Sequence, residues 1–401
     1  MTGRRNFLGS GMAILASAGL ATARQGDFND SSPGRVALEA CKPFSERKVR
    51  VGIAGEGVCC FGSAFGYQNH PNVEVVACTD LDPARCRLLQ QRTGAKRTYA
   101  SCEELIRHAA EDKVEALYIA TDAPSHAPLA ILALEHGLHV CSAVPALLGK
   151  EQLDLVPRLL AAVKSSGKVY QMNETTAFRE SCHTMRKLYE AGEMGAIVYC
   201  EGEYFHCANL RDGLGVGSYK GWRDCLPPLY YATHATGYYI FTTHRRLTEV
   251  SCIARPSVLP CYSRPNRYGN RFGSEFALFK TEEGGAARML VAYDVLSRNG
   301  ERGRIWGTKG SYDDASMAFL GDPLALERVA WRKPQLPPGM PAGDHGGSHG
   351  YLTDDFIRAI LLKNHTPCCD VVSSLNATIA GIYAHLSAEK GGETLPIPAV
   401  G

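Results

Sequence analysis

Between residues 49 and 80 the chain carries residues whose types and spacing suit a dinucleotide. Gly55-Glu56-Gly57 follows the short, β-branched run Val49-Arg50-Val51-Gly52-Ile53-Ala54 and leads into a segment, Val58 to Gly66, with helical character. In a strand, tight turn and helix, Gly55 permits the turn and Gly57 lets backbone N–H groups approach a pyrophosphate, whose charge the helix N-terminus favours. Cys60 stands where a third glycine is expected, while Gly62 and Gly66, four apart, share a helical face and can give the same close packing. The next strand, Val73 to Thr79, ends at Asp80, 25 residues after Gly55. A carboxylate there accepts hydrogen bonds from the adenosine ribose hydroxyls and repels a 2′-phosphate, which favours NAD over NADP. The competing role for Asp80 is to cap the helix that begins near Pro83. Gly55, Glu56, Gly57, Val58, Asp80 and Leu81 form the first part of the expected cofactor set.

The elements needed to position these groups are legible around them. Ala116 to Thr121 reads as a strand, Ser125 to His136 as a helix and His139 to Ser142 as another strand. Such alternation with short connections predicts an α/β fold with a doubly wound parallel sheet, whose ligands bind at the carboxyl ends of the strands. Thr121, Ala123, His126 and Ala143 lie at two such ends and complete the cofactor set. Further on, Ala196 to Tyr204, Glu275 to Lys280 and Ala286 to Tyr293 read as strands, the last two joined as an antiparallel hairpin through Glu283-Gly284-Gly285. Tyr351 to Leu362 and Ser373 to Lys390 carry helical patterns that return to pack on this second sheet.

Composition bounds the partners. With 43 Lys+Arg against 41 Asp+Glu in 401 residues and no basic cluster, nothing here draws the chain to nucleic acid. Fifteen cysteines are too few for a disulfide scaffold, and the odd number leaves at least one thiol unpaired within the chain. Met1 to Ala23 resembles a twin-arginine export signal, with Arg4-Arg5-Asn6-Phe7-Leu8, an uncharged stretch and a small-residue site at Ala21-Thr22-Ala23. Its removal takes away two arginines and leaves a formally neutral chain. A polar linker follows to about Arg47, then a nucleotide domain over 48–168 and a substrate and oligomerisation domain over 169–401.

The order and spacing of Val51-Gly52-Ile53-Ala54-Gly55-Glu56-Gly57, Cys78-Thr79-Asp80-Leu81-Asp82-Pro83, Ile119-Ala120-Thr121 with His126, and Ala133 to Val140 resemble the Gfo/Idh/MocA oxidoreductases. The resemblance implies an N-terminal Rossmann domain and a C-terminal α/β domain with an open, mostly antiparallel sheet that carries the substrate site and often an oligomer interface. It also implies Glu-Lys-Pro after the strand His139–Ser142, and this chain has Ala143-Val144-Pro145 instead. A second implied element, an Asp four residues before a His on a helix, becomes Tyr230 and His234. The segment Tyr231-Ala232-Thr233-His234 is similar to the Tyr-Pro-Thr-His element of the exported NAD-dependent glycoside hydrolases related to α-N-acetylgalactosaminidase. That branch implies a Glu before Val144 and a tyrosine within Asn173 to Arg179, and neither is present.

His234 is therefore the leading candidate to move a proton, since an imidazole titrates near neutrality. Tyr231, one helical turn back, is placed to act with it or orient it. Glu174, Tyr204, His206, Trp222 and Arg223 are expected substrate contacts. No metal site is expected, because there is no C-x-x-C or H-E-x-x-H and the histidines His345 and His349 lie in a glycine-rich segment. The reading is an exported NAD-dependent oxidoreductase acting on a sugar or cyclitol hydroxyl. The alternatives are a glycoside hydrolase or lyase that oxidises its sugar transiently, or a binding relative that has lost the chemistry.

Overall fold

Runs of buried β-branched residues, separated by helices, build a parallel sheet from the first part of the chain. The computed structural model describes residues 45–206, 218–297, 300–321, 325–328 and 333–401. The chain divides into Met1–Ala37 and Leu38–Gly401, and all elements below belong to the second unit. The expected signal, Met1 to Ala23, and the linker as far as residue 44 lie outside the described residues.

The first sheet alternates β1 (Val49–Ala54), α1 (Phe61–Ala64), β2 (Val73–Thr79), α2 (Pro83–Thr93), β3 (Arg97–Tyr99), α3 (Cys102–Arg107), β4 (Ala116–Ile119), α4 (His126–Glu135), β5 (His139–Ser142), α5 (Leu155–Ser166) and β6 (Tyr170–Met172). Its strand order is β3-β2-β1-β4-β5-β6, all parallel. The order reverses between β1 and β4, which opens a crevice at their carboxyl ends. The sheet takes Tyr170–Met172 from beyond the expected division at 168, because β6 pairs with β5. The helix expected over Val58 to Gly66 shrinks to the single turn of α1. Left-handed Cys60 (φ 55°) and Gly66 (φ 74°) bound it, and neither backbone continues a right-handed helix.

The second sheet is built from β7 (Ile197–Phe205), β8 (Leu247–Pro256), β9 (Phe272–Thr281), β10 (Ala286–Ala292), β11 (Gly300–Gly307), β12 (Ser311–Asp313), β13 (Ala318–Gly321), β14 (Ala325–Arg328) and β15 (Leu395–Pro396). The order is β14-β13-β12-β11-β7-β10-β9-β8-β15, antiparallel in its described pairs except for β7 against β10. Helices α6 (Glu180–Glu190), α7 (Thr233–Thr243), α8 (Asp344–Gly347), α9 (His349–Leu361) and α10 (Val371–Glu389) accompany it. Every residue of α7 is buried, so its sequence is apolar or uncharged throughout except for His234. Two glycines let α7 lie directly on the strands: a Cβ at Gly202 would stand 2.1 Å from the Ala235 carbonyl oxygen, and one at Gly303 2.0 Å from the Tyr238 ring.

On the opposite face, alternation along β9 leaves Phe276 and Leu278 about half exposed beside Ile253 of β8. Helix α10 joins the two sheets. Its Thr378 hydroxyl accepts from the Ala146 N–H (3.3 Å), and His385 Nδ1 meets Glu275 Oε1 of β9 at 2.6 Å. Just before the helix, the Cys369 carbonyl accepts from the Met172 N–H of β6. The cysteines among the described residues are unpaired.

Candidate active site

The glycine turn lies at the carboxyl end of β1. Gly55 (φ 93°) approaches the next strand so closely that a Cβ would stand 2.5 Å from the Ala120 carbonyl oxygen. Gly62 takes the packing role expected of a third glycine, since its Cβ would stand 2.3 Å from the Gly55 carbonyl oxygen. Asp80 Oδ2 accepts from the N–H groups of Glu56 (2.8 Å) and Gly57 (3.2 Å). The capping role belongs to Asp82, which accepts from the Ala84 and Arg85 N–H groups at the start of α2. Asp80 is thereby left facing the turn, at the position where a ribose binds.

Glu56 contributes only its backbone to the turn. Its buried carboxylate accepts from Ser63 N (2.9 Å), Ser63 Oγ (2.7 Å) and Arg92 Nη1 (2.6 Å). Val58 and Leu81 flank the turn as exposed apolar side chains.

The other cofactor candidates sit at the ends of β4 and β5. Thr121 Oγ1 pairs with Ser125 Oγ at 2.7 Å, and Ala123 is buried. His126 is buried between two loops, with Nδ1 2.8 Å from the Pro145 carbonyl and Nε2 3.2 Å from that of Thr121, and burial favours the neutral ring, whose single N–H donates to one of them. The Ala143 N–H donates to the Ile119 carbonyl, and Val144, at the place of the implied lysine, is buried. The turn with its left-handed backbone, the carboxylate at the end of β2 and the crevice at the switch point fit an NAD-type dinucleotide.

Beside this crevice the structure places a buried ion pair. The Asn173 N–H donates to the Ser142 carbonyl at 2.7 Å, which sets Glu174 against the end of β5, next to Ala143. Glu174 Oε1 accepts from the Thr176 N–H (2.9 Å) and lies 2.7 Å from Nδ1 of His234, in the first turn of α7. Burial pushes the Glu174 carboxyl upward, but the charge and hydrogen bond of His234 prevail and hold it below its ordinary range. Burial likewise opposes an imidazolium at His234, and the carboxylates of Glu174 and Glu301 outweigh it and raise its affinity for a proton.

Glu301, at the start of β11, joins the site without any sequence signal that singles it out. Its Oε1 is 3.6 Å from His234 Nδ1. Arg179 holds both of its oxygens through Nε (2.7 Å) and Nη2 (2.8 Å), and the Thr176 hydroxyl donates a further bond of 2.5 Å. Glu174, His234 and Glu301 offer three ligand atoms within 4.8 Å of one another. The same His234 nitrogen faces both carboxylates at hydrogen-bonding or ion-pairing distance, and the Arg179 fork already neutralises Glu301. The arrangement is that of a proton-bearing pair with a clamped second carboxylate.

The remaining candidates converge on this pair. The Tyr204 ring packs 4.5 Å from that of His234, and the Tyr231 ring 5.4 Å from it. Tyr204 also meets His206 edge-on at 5.7 Å. Arg223 Nη2 donates to the Tyr231 hydroxyl (3.1 Å), and its guanidinium lies 4.7 Å from the Trp222 ring centre and 5.0 Å from that of Tyr231. Burial raises the Tyr231 phenol despite the opposing charge of Arg223, so the hydroxyl stays protonated. Tyr230, in place of the implied Asp, turns away: its hydroxyl accepts from the Lys150 N–H and its ring packs on His385.

Residues 49–174 match the family described as "Oxidoreductase family, NAD-binding Rossmann fold", the Gfo/Idh/MocA family. A glycosyl hydrolase family 109 protein of Bacteroides thetaiotaomicron is 25% identical over 342 residues, spanning 80% of this chain and 70% of that protein. A second, from Porphyromonas gingivalis, is 24% identical over 392 residues, spanning 89% and 79%. An alpha-N-acetylgalactosaminidase of Bacteroides fragilis is 28% identical over 100 residues, 25% of this chain and 23% of that enzyme. Among solved structures, an inositol dehydrogenase homolog of Azotobacter vinelandii complexed with NAD+ superposes with a TM-score of 0.71 at 18% identity, covering 90% of this chain and all of the other. A levoglucosan dehydrogenase in complex with NADH and levoglucosan gives 0.70 at 17%, covering 88% and 100%. Residues 49–174 thus form a domain that matches the Gfo/Idh/MocA oxidoreductase family, with an NAD-binding Rossmann fold.

Proposed function

We propose that the protein oxidises a hydroxyl of a sugar or cyclitol with NAD, using the Glu174–His234 pair in place of the missing lysine. The observation that carries this reading is the position of that pair, buried at 2.7 Å and set against the end of β5 where Val144 has removed the amine. NAD, when bound, supplies the hydride acceptor. His234, with Nδ1–H donated to Glu174, takes the hydroxyl proton at Nε2 as the carbon–hydrogen bond breaks. The imidazolium so formed is stabilised by Glu174 and Glu301, which makes the neutral ring a stronger base than a solvated histidine. Tyr204, Trp222 and Tyr231 wall the site and exclude water around the reacting carbon.

Glycoside cleavage by transient oxidation is a second reading, favoured by the names of the similar family 109 proteins. It needs a further base to take a proton from the neighbouring carbon, and the tyrosines nearest His234 have phenols raised by burial. The two readings separate in one assay. Natively purified protein is analysed for released nucleotide by mass and absorbance, then loaded with NAD+ and offered sugars, cyclitols and their aryl glycosides. Stoichiometric NADH formation supports net oxidation. Aglycone release without net NADH, with solvent deuterium entering beside the oxidised carbon, supports cleavage. Absence of nucleotide together with absence of NAD+ binding on titration would sink both.

Two features outside the site complete the proposal. The Arg4-Arg5 segment directs export of the folded, cofactor-loaded chain, and mass determination of the mature N-terminus tests it. The exposed face carrying Ile253, Phe276 and Leu278 joins copies of the chain, and sedimentation of wild type against Phe276→Glu tests that.

A further inference from the structure

Among the described residues Arg223 is a cation without an anion. Its guanidinium carries five N–H donors, yet among the described residues the acceptor it meets is one neutral oxygen, the Tyr231 hydroxyl. Among the described residues no carboxylate pairs with it. The group does not swing freely either, because it lies over the rings of Trp222 and Tyr231 and the Trp222 carbonyl is itself held by the Tyr268 hydroxyl. A second observation points the same way. Nδ1 of His206 is buried and, among the described residues, has no hydrogen-bond partner, although buried polar atoms nearly always find one.

The two groups are joined to the reacting centre through shared aromatic neighbours. Tyr231 links Arg223 to His234, and Tyr204 links His206 to the same ring. Of the site's carboxylates, Glu301 is held by Arg179 and Glu174 meets His234 through Oε1, with Glu174 Oε2 buried and, among the described residues, unpartnered. The groups left to donate beside His234 are the planar guanidinium fork of Arg223 and the unsatisfied ring nitrogen of His206.

We propose that the substrate is an anionic carbohydrate, a sugar acid whose carboxylate is held by the Arg223 fork and by His206 while one of its hydroxyls faces His234. This rests on the reading of His234 as the group that meets the substrate hydroxyl. The planar fork of a single arginine matches the two coplanar oxygens of a carboxylate. A phosphate would call for further cations around it, and the aromatic rings on both sides of Arg223 supply none.

The test is calorimetric titration of the NAD+-loaded protein with D-glucuronate and D-galacturonate, against D-glucose, D-galactose and glucose 6-phosphate. At least one uronate is expected to bind about tenfold or more tightly than its neutral parent, the size of a charge-assisted contact. Arg223→Gln should abolish that preference with NAD+ affinity unchanged, and Arg223→Lys, which keeps charge but not the fork, should retain part of it. Neutral sugars or the phosphate binding as tightly as the uronates would overturn the proposal. So would no uronate binding, or a fall in NAD+ affinity in Arg223→Gln matching the loss of uronate, which would assign the guanidinium to the cofactor pyrophosphate. Uronate preference without NADH formation would keep this inference and refute the oxidation reading, whereas NADH formed from neutral sugars alone would do the reverse.

Discussion

Replacing Glu174 by Gln isolates the electrostatic part of the site, because the amide keeps the shape and an oxygen for the Thr176 N–H while removing the charge opposite His234. At 2.7 Å and an effective dielectric of about 20 the gross attraction is about 6 kcal/mol, and desolvation of two buried groups takes back much of it. Neutralising one member of a buried pair costs about 3–5 kcal/mol, and Glu301 at 3.6 Å from the same nitrogen places this case near the lower end, about 3 kcal/mol. The sign with pH follows from the two shifts. Glu174 is lowered, so its contribution is present above the unfolded carboxyl value and lost as pH falls through the folded one. His234 is raised, so its contribution is complete below the unfolded imidazole value and lost as pH rises through the folded one. The destabilisation of Glu174→Gln should therefore peak between roughly pH 4.5 and 6.5 and shrink on either side. Denaturant unfolding of both proteins across about pH 4 to 9 measures it. A difference below about 1 kcal/mol throughout, or one that does not vary with pH, would refute an ion pair here.

Gly62→Ala places a Cβ 2.3 Å from a backbone oxygen of the cofactor turn, so it should cost about 1–3 kcal/mol of stability and weaken NAD+ binding, measured by unfolding and titration. Asp80→Ala should lower NAD+ affinity by about tenfold, the worth of its hydrogen bonds to the ribose, and narrow discrimination against NADP+. Comparative titration with the two nucleotides checks this, and unchanged selectivity would remove Asp80 from the ribose site. Glu301→Gln should lower the pH at which the acid limb of kcat/KM falls off, because a negative charge that favours the imidazolium is gone.

The nucleotide-binding half was readable because its chemistry is local. Gly55, Gly57 and Asp80 stand at spacings that backbone geometry imposes, and the strands around them are short, apolar runs that only a sheet buried on both faces accommodates. Even there, position alone points to Glu56 and His126 as cofactor contacts, whereas the Glu56 carboxylate braces the turn and the His126 ring is buried against the carbonyls of Pro145 and Thr121. In the second half, residue type alone offers Glu174, Tyr204, His206, Trp222, Arg223, Tyr231 and His234 as separate candidates, and their contacts with one another carry no sequence signal. Glu301 and its Arg179 clamp were invisible, because β11 meets α7 and the turn after β6 only through long-range packing, and a lone Glu between glycine and arginine carries no periodic signal. The shortness of α1 was missed for a different reason: left-handed Cys60 is a conformation that residue type does not announce.

The role proposed for His234 is to remove the proton of a carbohydrate hydroxyl as hydride leaves its carbon. It is tested most directly by following NADH when carbohydrates are added to NAD+-loaded wild type and His234→Asn, with NAD+ affinity measured in both. Substrate-dependent NADH is expected in the wild type, with a rate lower by about 10²–10⁴ in the variant at unchanged NAD+ affinity. Equal rates in the two proteins would contradict it.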